Sequence, residues 1–238
     1  MRISSGSIPR VLAILSDIHA NLAALEAVLA DARARGCDRF ICLGDVVGYN
    51  AEPEECCRLL MENGVVNILG NHDSYITTGE NCTRSKVVAG IIDDHRTRLS
   101  PQSIAWLGRS APLIRDGDVL MVHGGPDDPL DQYVREVDAT IFPDDVNVLF
   151  VGHTHVQISH SFGEKLFCNP GSVGQPRDGD PRAAYAIWHD RQLSLHRVDY
   201  DIERTIAVMM ERGYEPFLAR GLPQGAQING RIDTIIVR

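Results

Sequence analysis

Short apolar runs, each ended by a polar cluster, organise the first third of the chain. Val11–Leu15 is the first, and it gives way at once to the polar stretch Ser16–Asn21. Leu22, Leu25, Leu29 and Ala32 then fall at helical spacing, with Asn21 placed to cap the helix and Gly36 just past its end. Arg39–Leu43 predicts a second strand, ending in Gly44-Asp45. A second helix is predicted to open at Pro53, with Glu54 and Glu55 in its first turn and Gly64 beyond its end. Val65–Leu69 predicts a third strand, followed by Gly70-Asn71-His72-Asp73. Strand, helix, strand, helix, strand is the order of βαβ units on a parallel sheet.

The middle is predicted helical over Lys86–Arg98 and again over Pro101–Leu107, where Ser100 reads as a cap. From Asp118 onward strands follow closely: Val119–Val122, Val148–Val151, Gln157–His160, Leu166–Cys168, Ala183–Trp188 and Leu193–Val198. A last helix, Ile202–Arg212, places Ile202, Ile206 and Met209 on one face, and the tail from Glu215 has weak periodicity. No repeat, linker or charge block cuts the chain, and the Pro/Gly-rich segments Gly124–Pro129 and Asn169–Pro181 read as loops over a site. The expectation is one α/β domain over residues 1–238, built from two packed sheets flanked by helices.

Composition narrows the chemistry. A chain of 238 residues, 44% hydrophobic and 23% charged, can bury a sizeable core without disulfide or metal staples, so a metal here is more plausibly functional than structural. The net charge of −9 argues against a nucleic-acid partner, which calls for a basic stripe. An anionic small substrate would need the field reversed locally, as bound cations do. Of the six cysteines, Cys37, Cys42, Cys56, Cys57, Cys82 and Cys168, none forms a CxxC. The N-terminal MRISSGSIPR lacks a signal-peptide pattern, and no apolar run reaches the ~18 residues that span a bilayer. A reduced, cytoplasmic protein with no membrane partner is expected; oligomeric state is not readable.

Five polar clusters follow five predicted strands: Asp17-Ile-His19, Gly44-Asp45, Gly70-Asn71-His72-Asp73, His123-Gly-Gly and Gly152-His153-Thr-His155. Sites of α/β sheets form at the carboxyl ends of strands, so these clusters can converge. Five of the nine histidines fall in them, a segregation that scattered structural histidines would not produce. Asp17 alone could be a helix cap and Gly44-Asp45 alone a common turn. Two histidines at i, i+2 on an extended segment share one side, which suits ligation at one centre. His95, His160, His189 and His196 have no such setting and read as core or surface residues.

These five motifs, in this order, resemble the calcineurin-like metallophosphoesterase superfamily, and Asn169-Pro-Gly-Ser-Val-Gly174 resembles a loop of its compact prokaryotic phosphodiesterase branch. The resemblance implies a sandwich of two mixed sheets and two divalent ions. One ion would be bound by Asp17, His19, Asp45 and His155, the other by Asp45, Asn71, His123 and His153. A carboxylate, imidazole and amide set without thiolate suits manganese, iron, zinc or nickel. Two such ions can clamp the attacking and leaving oxygens of an in-line displacement, and a water between them becomes a ready source of hydroxide. His72 would contact the phosphate and protonate the leaving alkoxide, with Asp73 a candidate to orient it.

One departure bears on the substrate. In the protein Ser/Thr phosphatase branch the Gly-Asp motif runs into Asp-Arg-Gly, whose arginine binds phosphate. Here it reads Gly44-Asp45-Val-Val-Gly48-Tyr49-Asn50. Losing a bidentate cation hurts a dianionic monoester more than a monoanionic diester, so a small phosphodiester is the expected substrate. A phosphomonoesterase or protein phosphatase, a dinucleoside polyphosphate hydrolase and a non-catalytic metal-binding scaffold are the alternatives. Arg177 and Arg182 are candidates for phosphate contact or solvated loop arginines.

Overall fold

The computed structural model describes residues 11–238. The MRISSGSIPR segment, expected to lack a signal-peptide pattern, lies outside the described residues. Two five-stranded mixed sheets pack face to face. The first has the order β11-β10-β1-β2-β3, where β1 is Leu12–Leu15, β2 Arg39–Cys42, β3 Val66–Asn67, β10 Ala183–His189 and β11 Gln192–Val198. The second has the order β4-β5-β7-β9-β8, from Leu113–Asp116, Val119–Val122, Val148–Phe150, Lys165–Pro170 and Gln157–Phe162. Strands β1, β2 and β3 of one sheet, and β5, β7 and β9 of the other, are parallel.

Strands buried on both faces read as unbroken apolar runs, and the period of two sorts their residues. Ile14, Ile41, Met121, Val148, Phe150 and Ala186 face inward and form the layer between the sheets. Ala13, Leu15, Phe40, Cys42 and Tyr185 face outward beneath helices α1 (Leu22–Ala34) and α2 (Pro53–Glu62). The helices thus cover the first sheet. Leu120, Val122, Leu149 and Phe167, on the outer face of the second sheet, pack instead against Val134, Val137, Phe142 and Ile235. Those residues come from irregular chain and the small pair β6 (Glu136–Val137) with β12 (Ile236–Val237).

Capping chemistry set the helix ends where the sequence placed them. Asn21 accepts a hydrogen bond from the Ala24 amide at 3.2 Å. Ser85 and Ser100 cap α4 (Lys86–Arg98) and α5 (Pro101–Leu107) in the same way. Helix α6, Ile202–Glu211, closes against α1. The helix α3 (Asn71–Thr78) was not anticipated: Gly70-Asn71-His72-Asp73 opens a helix, not a turn. The hairpin β4–β5 was also missed, although Asp116-Gly117-Asp118, with Gly117 at φ 59°, is ordinary hairpin-turn chemistry. All six cysteines are free, and among the described residues no helix is long and apolar enough to cross a membrane.

Candidate metal centre

Five strand ends deliver the candidate donors. Chain leaving β1 carries Asp17 and His19, β2 leads to Asp45, and β3 leads through Gly70 to Asn71 and His72 in the first turn of α3. His123 follows β5 directly, and chain leaving β7 carries His153 and His155. All seven predicted ligands are buried, none more than 4% exposed. Asp17, His19, Asp45, His153 and His155 hold φ between 48° and 65°, a conformation that side-chain-bearing residues rarely adopt. Strain of about 1–3 kcal/mol per residue persists only where the surroundings enforce it.

Backbone hydrogen bonds do the enforcing. The amides of Asp17, His19 and Ala20 donate to the carbonyls of Gly44, Asp45 and Val46 at 3.0, 3.0 and 2.8 Å, which ties the loop after β1 to the loop after β2. The His153 amide donates to Asp17 Oδ2 at 3.0 Å, joining the second sheet to the first. The Asn169–Gly174 loop braces this arrangement. Its Val173 and Gly174 amides donate to Ser16 and Asp17 carbonyls, and Asn169 holds the Gly152 carbonyl. Gly70 is required because a Cβ there would overlap the Asp45 carboxylate.

The side chains meet in two groups joined at Asp45. Asp17, His19 and His155 form one, Asp45, His123 and His153 the other, and Asp45 also lies with His19 and His72. Asn71 Oδ1 is 3.1 Å from His123 Nε2, so the amide belongs with the second group. The imidazole tautomers follow from backbone partners. Nδ1 of His19, His123 and His155 lies 2.8, 3.0 and 2.6 Å from the carbonyls of Val47, Leu43 and Gln175. A carbonyl only accepts, so each Nδ1 carries the hydrogen and each Nε2 turns a lone pair inward.

That assignment decides whether a cation fits. His19 Nε2 and His155 Nε2 stand 3.0 Å apart, two lone pairs facing one another with Asp17 Oδ1, itself without a hydrogen-bond partner, 3.2 Å from His155 Nε2. Such a set is stabilised by a shared positive charge. The protonation states agree. Burial drives His19 well below the usual imidazole range, takes His123 down to about 3 and lowers His155, leaving neutral ligand-ready rings. Burial also raises the Asp45 carboxyl well above the carboxylate range, aided by the charges of Asp73 and Asp17. The pocket gathers buried carboxylates that no lysine or arginine pairs with, and a divalent cation would supply the missing positive charge.

Residues 11–192 match the family model of the calcineurin-like phosphoesterase superfamily domain. The chain belongs to that superfamily. The uncharacterized protein MJ0912 of Methanocaldococcus jannaschii is 32% identical over 90% of this chain and 94% of its own length. Phosphodiesterase YfcE of Escherichia coli K12 is 28% identical over 77% of this chain and 90% of that protein. A solved metallophosphoesterase from Sphaerobacter thermophilus is 34% identical, with a TM-score of 0.80 over 92% of this chain and 100% of that one. The fold is therefore that of a metallophosphoesterase, and the protein is a phosphoester hydrolase whose donor clusters can hold divalent metal.

Around these clusters the phosphoesterase has residues of two kinds. His72 lies over the centre, its Nε2 3.9 Å from Asp45 Oδ2 and its Nδ1 buried without a partner, while Gly48 leaves room that a Cβ would take from the ring. Asp73 does not orient it. As the third residue of α3 its carboxylate accepts the amides of Val46, Val47 and Gly70 at 2.9, 3.2 and 3.4 Å, which fixes the Asp45 loop to the helix start. Asp73 is a positioning residue for the backbone, and its carboxyl, raised by burial to about 6, makes no hydrogen bond to His72 among the described residues.

The two arginines separate. Arg177 is only 6% exposed, sits over the Tyr49 ring at 5.1 Å, and its Nε has no partner. Arg182 is exposed and paired with Asp180 at 2.7 Å, away from the centre. Two residues of the wall escaped the sequence reading. Tyr49 packs 4.6 Å from the His19 ring and Tyr133 3.8 Å from His153. A tyrosine in the Gly48-Tyr49-Asn50 turn, held at φ 58°, was the available signal for the first, and none marked the second.

Proposed function

We propose that this phosphoesterase cleaves phosphodiesters at a dinuclear centre, with one ion held by Asp17, His19, Asp45 and His155 and the other by Asp45, Asn71, His123 and His153. The observation that carries the reading is two donor groups, Asp17 with His19 and His155 and Asp45 with His123 and His153, with Asp45 also lying 3.7 Å from His19 Nε2. Manganese, iron, zinc and nickel suit the donor set. Bound there, a pair of divalent ions supplies a water of lowered pKa and a positive field for the phosphoryl oxygens.

The remaining steps fall to side chains. Arg177, with an unpartnered Nε beside Tyr49, is placed to donate to a phosphoryl oxygen and takes over the duty of the arginine missing after Asp45. His72 supplies the proton that the departing alkoxide needs. Burial holds this ring well below its usual range, and an anionic phosphoester beside it favours the protonated form. Space adjoining Tyr49 and Arg177 accommodates the second ester arm, and the E. coli relative is a phosphodiesterase by name.

Arg177 also favours a second reading, a phosphomonoesterase, because a buried guanidinium matches a dianion. Metal-free protein reconstituted with each ion decides between them. Turnover of bis(p-nitrophenyl) phosphate that requires added metal and exceeds that of p-nitrophenyl phosphate is expected. Equal or faster monoester turnover would overturn the diester reading, and metal-independent turnover would overturn the centre itself.

A further inference from the structure

A cavity of about 600 Å³ opens directly beside the donor clusters, a size that ligand sites commonly have. Tyr49 and Tyr133, which touch the His19 and His153 rings, form its inner end. Arg177 lines it next to them, and Arg135, Arg220 and Arg231 line it further out. The exposed outer arginines come from the β5–β7 connection and from the C-terminal tail, segments that share no sequence motif.

The charge there runs against the rest of the molecule. The chain carries a net −9, yet the cavity is lined by four arginines and by no carboxylate. Asp233 pairs with Arg231 at 3.0 Å and Arg135 at 3.7 Å and takes a further hydrogen bond from the Gln227 amide. Arg220 makes no ion pair among the described residues, and Arg177 Nε is buried without a partner. Gathering a surplus of cations in one concave surface of an acidic protein raises the local concentration of anions. One phosphoryl group at the donor clusters uses Arg177 alone and leaves the outer arginines without a role.

We propose that this cavity is a second phosphoryl subsite, so that the preferred substrate is a phosphodiester whose retained arm carries a further phosphoryl group. The proposal rests on the hydrolase reading above and adds the substrate class. Guanidinium forks match phosphoryl oxygens, and Tyr49, Tyr133 and Phe217 offer flat walls to whatever joins the two groups.

The p-nitrophenyl ester of thymidine 5′-phosphate, with and without a 3′-phosphate, isolates the second charge, since ring and leaving group are shared. With wild-type protein, kcat/KM is expected to favour the 3′-phosphorylated ester by about tenfold or more, mainly through KM. Arg220→Ala with Arg231→Ala should bring the ratio to within about twofold. Because Arg231 also pairs with Asp233, Arg220→Glu at an exposed site serves as the second variant, and it should lower the ratio alone. A wild-type ratio at or below unity, or one that neither variant changes, overturns the subsite. Should neither ester be cleaved with any metal, the diester reading fails. Calorimetric titration with thymidine 3′,5′-bisphosphate then carries the test: binding weakened about tenfold in the variants supports the subsite, and equal binding overturns it.

Discussion

The floor of the site and its wall are built in opposite ways. Floor donors sit within a few residues of strand ends, buried, with backbone hydrogen bonds fixing the ring tautomers of His19, His123 and His155. Wall residues Tyr133, Arg135, Arg220 and Arg231 are exposed and come from connections and the tail. Rigid elements hold chemistry to a fraction of an ångström, whereas loops choose what is admitted. Substitution in the floor should therefore abolish turnover of every ester, and substitution in the wall should change the ranking among esters.

The largest effect is expected at Asp45, the carboxylate that lies with His123 and His153 and also reaches toward His19 of the other group. Its Oδ1 accepts the His72 amide at 2.9 Å, while Oδ2 lies 3.5 to 3.9 Å from His19, His123 and His72 nitrogens. Asp45→Asn keeps the size and one accepting oxygen but removes the charge. A metal centre contributes several kcal/mol of transition-state stabilisation, so turnover should fall by roughly a thousandfold or more on all esters. Metal content by elemental analysis should fall with it while circular dichroism stays unchanged. Retention of a tenth of the activity with full metal would break the distinction drawn here.

A smaller and more selective loss is expected from His72→Ala. Removing a general acid costs about a hundredfold or more where the leaving group needs a proton. A methyl ester departs as a basic alkoxide and should bear that full loss, whereas a nitrophenyl ester should lose far less. Metal content should not change. Equal losses on the two esters would make His72 a phosphate-binding residue and not the acid.

The same contrast explains what the sequence made legible. Asp17, Asp45, His123 and the His153–His155 pair each follow an apolar run, so strand ends announced the floor, and the alternation that sorts Ile14 from Leu15 announced the sheets. Asn71-His72-Asp73 did not announce a helix because Asn71–Thr78 is rich in polar and β-branched residues of modest helix propensity. The role of Asp73 was hidden for the same reason, since only a helix start turns its carboxylate toward the backbone. The wall was silent: Tyr133, Arg220 and Arg231 meet only because the tail folds back, a long-range contact that local pattern does not encode. Arg177 and Arg182, five apart in one loop, could not be told apart without it.

His95 marks the seam between floor and wall, and the smallest of the expected effects belongs to it. It is fully buried, and it holds the turn whose Gly48 faces His72 and whose Tyr49 lines the cavity. Its Nδ1 accepts the Gly48 amide at 3.1 Å, so Nε2 carries the hydrogen and donates to the Asn50 carbonyl at 2.8 Å, with Tyr214 Oη 3.1 Å away. A second proton would have to sit on Nδ1, against the Gly48 N–H. Burial outweighs the favourable Asn50 carbonyl and Asp94 charge and, with Arg98 adding to it, brings this imidazole from 6.5 down to about 4. Between those values the unfolded chain binds a proton that the folded chain does not, so stability rises with pH across the window and is lost as pH falls below about 6.5. Each pH unit in the window is worth about 1.4 kcal/mol, so descending to pH 5 should cost on the order of 2 kcal/mol through His95. His95→Gln should be less stable than wild type at pH 7.5 by about 1–3 kcal/mol for the lost buried hydrogen bonds. Urea unfolding of metal-loaded protein at pH 7.5 and pH 5 should show that gap narrowing by about 2 kcal/mol, since other titrating groups cancel in the difference. A gap that stays constant would mean His95 titrates normally, and the turn joining the two regions would then owe its position to something other than this neutral ring.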